Sequence, residues 1–120
     1  MARSIDPTAY LRAAAQLQSV RQKIIANNIA NIDTPGYQRK DVSFQQQLTR
    51  AIESGTTGAL QNIKPEIVTP QNTPVKANGN DVSLEIEIGD MVDNSTKYKL
   101  YLGLLKKIGS QKRLAIDTKA

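Results

Sequence analysis

The side chains best placed for chemistry in this sequence are two carboxylate pairs, Asp81 with Glu85 and Asp90 with Asp93, each spaced by one helical turn. Such pairs hold a hard cation only weakly. Acidic dressing of a helix start, which complements the positive end of the helix dipole, is the better reading. Tyr98 and Tyr101 carry the next candidate groups, but on a helix with apolar periodicity they read as packing or interface residues. Serines and lysines are present, yet no base is evident that would activate them. Histidine and cysteine are both absent, which removes the usual general base near neutral pH, the commonest metal ligand, thiol catalysis and disulfides. No glycine-rich phosphate loop and no H-E-x-x-H pattern occurs. The expectation is a chain that is not an enzyme, with no catalytic, cofactor-binding or metal-ligating residue.

Composition points the same way. The 120 residues allow one domain at most, or helices that become a domain only in company. Hydrophobic residues make up 39% and aromatics 4%, while Asn plus Gln reach 18, so a lone apolar core would be thin. No apolar run is long enough to cross a bilayer. Ile5-Asp6-Pro7 follows the first residues where a cleavable signal would have an apolar stretch, so the chain is expected in the cytoplasm or on an export route that cleaves no signal. Charge falls in three blocks: +4 over residues 1–80, −5 over 81–96 and +6 over 97–120. The basic block reads either as a solvated helix face or as a docking surface. Nucleic acid is the weaker option, because no aromatic is interleaved with the bases.

The elements that position these groups are mostly helical. Asp6 suits an N-cap and Pro7 the first helical position. Tyr10, Ala13, Leu17, Val20, Ile24, Asn27 and Asn31 follow at alternating steps of three and four, a heptad seam that predicts a helix over 7–32. Asn31, Asp33 and Thr34 compete for backbone hydrogen bonds, and Pro35 drives Thr34 out of the α region. Pro35-Gly36 then fits the middle of a type II turn, making Thr34–Tyr37 a rigid corner. Asp41 would cap a short helix over 42–54 carrying Phe44, Leu48 and Ile52. Residues 55–80, with Pro65, Pro70 and Pro74, read as a mobile or partner-moulded connection in which Ile67-Val68 fits a brief extended segment.

A last helix over 82–116 shows Leu84, Ile88, Met91, Ser95, Tyr98, Leu102, Leu105, Gly109, Lys112 and Ile116 in heptad register. The expected fold is all-α: one unit over 1–120, with two long coiled-coil-like helices in an antiparallel hairpin, a short middle helix and a partly extended or disordered connection. Leu17, Val20, Ile24, Leu84, Ile88, Met91, Leu102 and Leu105 are expected to pack the hairpin. Asn27, Asn28 and Asn31 in or beside the seam, and Gly89, Gly103 and Gly109 in the last helix, argue for loose order in the monomer.

Two segments carry a resemblance. Asn28-Ile29-Ala30-Asn31-Ile32-Asp33-Thr34-Pro35-Gly36-Tyr37 resembles the N-terminal signature of bacterial flagellar rod, hook and axial proteins, and Gln38-Arg39-Lys40-Asp41-Val42-Ser43-Phe44 is similar to its continuation in the proximal branch of the basal-body rod family. Asn78-Gly79-Asn80-Asp81-Val82-Ser83-Leu84-Glu85 resembles that branch's Gly-Asn-Asn-Val-Asp-Leu-Glu segment, with Asp81 and Ser83 as departures that keep turn or capping ability. Lys97-Tyr98, Leu104-Leu105 and Arg113-Leu114-Ala115-Ile116 are similar to its final helix.

The resemblance implies a structural subunit of the proximal rod, exported unfolded through the flagellar type III gate and polymerising helically to transmit torque. It implies copies of the chain, other rod proteins, and export-gate and membrane-ring junction proteins as partners, with no nucleic acid, no direct lipid insertion and no cofactor. The location it implies is the periplasmic rod of the basal body, after synthesis in the cytoplasm. The residues it marks for assembly are Asn28, Ile29, Ala30, Asn31, Thr34, Pro35, Gly36, Tyr37, Phe44, Asn80, Val82, Leu84, Tyr98 and Leu105. A basic helical adaptor, or a nucleic-acid-associated protein held by duplex DNA with steep salt dependence, is the competing reading.

Overall fold

A computed structural model describes residues 6–55 and 57–119. Its helix α1 spans Pro7–Ala30 and begins as the sequence suggests: the Asp6 carboxylate accepts from the Thr8 N–H at 3.0 Å, and Pro7 stands at the first helical positions. It stops two residues before the expected end. The Asn31 N–H is shared between the carbonyls of Asn27 and Asn28, and the Asn31 amide also donates to the Asn27 carbonyl at 2.8 Å. Side-chain competition for backbone groups thus closes the helix at Ala30.

Strand β1 (Asp41–Ser43) follows the corner and pairs antiparallel with β2 (Glu66–Val68), setting Val42 opposite Ile67. The middle helix expected from Val42 therefore begins later. Val42 is buried beside the ladder, and Asp41 accepts from the Val42 N–H and faces Arg21 at 3.3 Å instead of capping a helix. Helix α2 covers Gln45–Ser54 and a short α3 covers Thr57–Gln61, so the 55–80 connection has structure of its own. Ala13 of α1 meets Leu48, Ala51 and Leu60 in a small apolar core, flanked by Ala9, Tyr10, Ala59 and Ile63.

The longest element is α4, Leu84–Lys119, of 36 residues against 24 for α1. At 1.5 Å per residue these are rods of about 54 and 36 Å. They pack closely along their length, in a molecule measuring 67 × 30 × 15 Å. Asn28 of α1 bonds to Glu87 of α4, and Gln18 and Gln22 bond to Asn94, so α4 returns alongside α1 in the opposite sense.

The seam itself differs from the expected one. On α1 Ala13 and Leu17 of the heptad Tyr10–Asn31 are buried, and so is a second line one position away, through Leu11, Ala14, Gln18, Ile25 and Asn28. On α4 Glu87 and Asn94 are buried, whereas Leu84, Ile88 and Leu102, expected to pack the hairpin, are 47%, 44% and 43% exposed. The reason is that α1 must serve two faces. Ala13 and Tyr10 are taken by α2 and α3, which turns the adjacent line, rich in amides and alanines, toward α4. Apart from Val82, the largest fully buried side chains are all polar or charged: Glu87, Asn28, Asn80 and Asn94.

Candidate functional site

The corner after α1 and the loop before α4 form one interlocked unit. Thr34-Pro35-Gly36-Tyr37 closes as expected, with the Tyr37 N–H on the Thr34 carbonyl at 3.3 Å and Gly36 at φ +72°. Gly79, at φ +84°, lies against it: a β-carbon built there would stand 3.3 Å from the Gly36 α-carbon. Both conformations suit glycine, and at Gly79 the missing side chain is also what permits the close approach. The Gly36 N–H donates to the Asn78 carbonyl at 2.8 Å.

Asn80 locks the loop to the helix end. Its amide donates to the carbonyls of Asn31 at 2.8 Å and Thr34 at 2.9 Å, and its side-chain oxygen accepts from the Val82 N–H at 2.8 Å. The first carbonyl belongs to the C-cap residue of α1 and the second to the corner after it, and each also accepts a backbone N–H, from Thr34 and Tyr37 respectively. A side chain nearly 50 residues downstream thus caps α1, and it is fully buried while doing so.

Asn28 does the corresponding work from the helix side. Its oxygen accepts from the Lys40 N–H at 3.0 Å and the Tyr37 hydroxyl at 2.9 Å, and its amide donates to the Lys40 carbonyl at 2.7 Å. The carboxamide therefore pairs with both backbone groups of Lys40, as a neighbouring strand would. The second amide bond, 3.2 Å to Glu87, ties this pairing to α4.

Charge completes the unit. The Arg39 Nε donates to Glu87 at 2.6 Å and its Nη2 to Asp90 at 2.8 Å, with side-chain exposures of 6% for Arg39 and 0% for Glu87. The Arg39 backbone N–H donates to the Asp81 carboxylate, whose residue also accepts from Thr73 through its carbonyl. Burial by itself pulls the Arg39 guanidinium down. The Glu87 hydrogen bond and the charges of Glu87, Asp41 and Asp90 outweigh it and hold the group above its ordinary value. Tyr37 is raised as well, first by burial and then by the negative charges of Glu87 and Asp81, against the opposing hydrogen bond from Asn27.

The residues singled out from sequence divide in two. Asn28, Asn31, Thr34, Gly36, Tyr37 and Asn80 meet in this interlock, and Val82 is buried beside it. Ile29 is half-buried, while Ala30 and Pro35 are exposed. Phe44 stands half-buried ahead of α2, away from the interlock. Leu84, Tyr98 and Leu105 lie along α4, Tyr98 and Leu105 lining a groove against Arg12 and Ala15 of α1.

Sequence reasoning missed Arg39, Glu87 and Asn94. Acidic dressing was the expectation for Asp81 and Asp90, and both are bonded to Arg39 instead. A signal was present, since Arg39 follows the corner and Glu87 belongs to the only segment with acids and no bases. Among the described residues no group of three acids forms a cation site, and no helix is long and apolar enough to cross a membrane. The arrangement fixes how the end of α1 meets the start of α4.

The family described as flagella basal body rod protein matches residues 11–38. The chain is 31% identical over 108 residues to the flagellar basal body rod protein FlgB of Proteus mirabilis (strain HI4320), covering 75% of this chain and 78% of that one. It is 32% identical over 113 residues to FlgB of Yersinia enterocolitica, covering 80% and 82%. With FlgB of Bacillus subtilis (strain 168) it shares 34% over 100 residues, covering 74% and 76%.

Proposed function

Since the chain belongs to the flagellar basal body rod protein family, in its FlgB group, we propose that it is exported unfolded, without a cleaved signal, and polymerises helically in the proximal rod of the periplasm to transmit torque. It is a structural subunit of the basal body, and its partners are proteins of that assembly. The specific partners proposed are copies of itself, other rod proteins, and the export-gate and membrane-ring junction proteins.

One observation carries this reading: α4 buries Glu87 and Asn94 while several of its large apolar side chains stay exposed. Ile88, Val92, Leu100 and Leu102 are 44%, 60%, 56% and 43% exposed. Covering the exposed half of such a side chain contributes about 1 kcal/mol each. A chain with this surface is incomplete alone and gains order when neighbours cover it. Buried directional bonds suit a part that bears torque, because they fix both the register and the rotation of the paired helices. Apolar contacts alone would let a coiled-coil-like hairpin slide. The absence of cysteine is also compatible with passage through a narrow export channel.

The test is deletion of the gene followed by electron microscopy of basal bodies and a swimming assay. Loss of the rod is expected; normal rods and normal swimming would overturn the reading. Replacing Pro35-Gly36 with Ala-Ala should impair rod assembly more than protein level. Unchanged rod formation in that variant would remove the corner from the assembly process.

A further inference from the structure

We propose that Asn78-Gly79 is a site of self-modification, a bond that cyclises whenever the corner after α1 is open and that the closed interlock protects. This chemistry belongs to the chain alone and stands apart from the rod-subunit reading.

Asparagine is among the thermally labile residues, and Asn78 is the one asparagine of the sequence followed by glycine. Glycine there leaves the next amide nitrogen with no β-carbon to hinder it. The Gly79 nitrogen can then attack the carbonyl carbon of the Asn78 side chain. A bond forms between the Gly79 nitrogen and Asn78 Cγ, the Cγ–Nδ2 bond breaks, and ammonia leaves with the proton that the Gly79 nitrogen gives up. Water opens the cyclic imide. Cleavage at Cγ gives aspartate on an unchanged backbone. Cleavage at the main-chain carbonyl carbon gives isoaspartate, whose backbone runs through the side chain and is one atom longer. The Asn78 side chain is exposed, so base and water reach it.

The fold pins each group that the attack must move. The peptide unit between residues 78 and 79 is held at both edges: the Asn78 carbonyl accepts from the Gly36 N–H at 2.8 Å, and the Gly79 N–H donates to the Lys76 carbonyl at 2.9 Å. The Asn78 side-chain oxygen accepts from the Asn80 N–H at 3.1 Å, which fixes the carboxamide. For the Gly79 nitrogen to lose its proton and reach Cγ, the turn must open. The Gly36 bond comes from the far side of the interlock, so full protection exists only when the corner is closed.

The two products leave different turns behind. Aspartate keeps an oxygen for the Asn80 N–H. Isoaspartate lengthens a loop that the Lys76 N–H closes on the Asn80 carbonyl at 2.8 Å, and in which Gly79 lies against Gly36. The added backbone atom displaces Gly79 and Asn80 from the corner. The interlock is therefore a chemical shield as well as a joint, and a chain left open loses the means to close it.

The test uses the purified full-length chain, held in warm, mildly alkaline buffer, native or in guanidinium chloride. Peptide mapping by mass spectrometry follows the exchange of amide for acid at each asparagine. In denaturant Asn78 should react fastest of the asparagines, and in native buffer it should react about tenfold more slowly than in denaturant, or slower still. An Asn78 that is no faster than the others in denaturant would overturn the reactivity, and equal rates at Asn78 in the two buffers would overturn the protection. Amide exchange at Gly36 and Gly79, read on the native sample, should be slow; an open corner there would also reject the shield. Asn80→Ala removes the amide bonds that hold the loop to Asn31 and Thr34, and should restore most of the denatured rate. A rate still at the native level would remove the corner from the protection. Chains aged in denaturant and returned to native buffer test the products. The refolded, protease-resistant fraction should be depleted of isoaspartate at position 78 but not of aspartate. Equal isoaspartate in the refolded and unfolded fractions would overturn the claim that the lengthened loop cannot close.

Discussion

Asn28 and Glu87 lie 59 positions apart in the chain and share a 3.2 Å hydrogen bond closed to solvent. The bond joins the corner that follows α1 to the first turn of α4. Glu87 turns its other oxygen to Arg39 at 2.6 Å, so one carboxylate holds a carboxamide and a guanidinium together. The interlock depends on this carboxylate having both partners.

Removal of Glu87 should therefore be costly. Glu87→Ala leaves the buried Arg39 short of its main counter-charge and is expected to destabilise the fold by about 3–5 kcal/mol. Arg39→Met with Glu87→Met should recover much of that loss, because no charge is left buried without a partner. Urea unfolding of the wild type, the single variant and the double variant measures both effects. A single variant as stable as the wild type would show that the pair contributes little.

Asn80 offers a sharper test of donor identity. Asn80→Asp retains the oxygen that accepts from Val82 but loses the amide that donates to Asn31 and Thr34. The two carbonyls would then face a carboxylate in a closed site. A loss of about 2–3 kcal/mol is expected, with faster amide exchange over the last turn of α1. Exchange rates unchanged at residues 28–34 would mean that Asn80 does not cap the helix.

Gly36 and Gly79 should respond differently to alanine. Both have positive φ, yet a β-carbon at Gly36 meets nothing within 4 Å, whereas one at Gly79 presses on the Gly36 α-carbon at 3.3 Å. Gly36→Ala is expected to cost about 1 kcal/mol, from backbone conformation alone. Gly79→Ala should cost more, through the added loop–loop clash. Thermal melts of the two variants give the order, and equal shifts would deny the contact.

Tyr37 sets an alkaline limit. Its hydroxyl is raised above its ordinary 10.0, so the neutral phenol is the form favoured by folding. Its contribution is fully present below about pH 10 and is lost as pH rises through the raised value. Tyr37→Phe should be less stable near neutrality by about 1 kcal/mol, and its deficit should shrink above about pH 10. Parallel stability curves for the two proteins from neutral to alkaline pH would contradict this.

Much of the fold was legible in the sequence. Asp6-Pro7 marked the start of α1, Thr34-Pro35-Gly36-Tyr37 its corner, and Ile67-Val68 the extended segment, because caps, proline and glycine act on their immediate neighbours. Heptad spacing announced both long helices, since amphipathic period is a local property of the chain. Asn28 and Asn80 were marked by motif, but not the fact that they complete one interlock.

Tertiary structure alone decided which helix side faces inward. Periodicity records apolar residues at helical intervals, and several neighbouring lines on α4 satisfy it. The choice among them came from α2 and α3 occupying Ala13 and Tyr10, and from Arg39 reaching Glu87 across the loop. Burial of a carboxylate depends on a partner brought from 48 residues away, a distance over which local pattern carries no information.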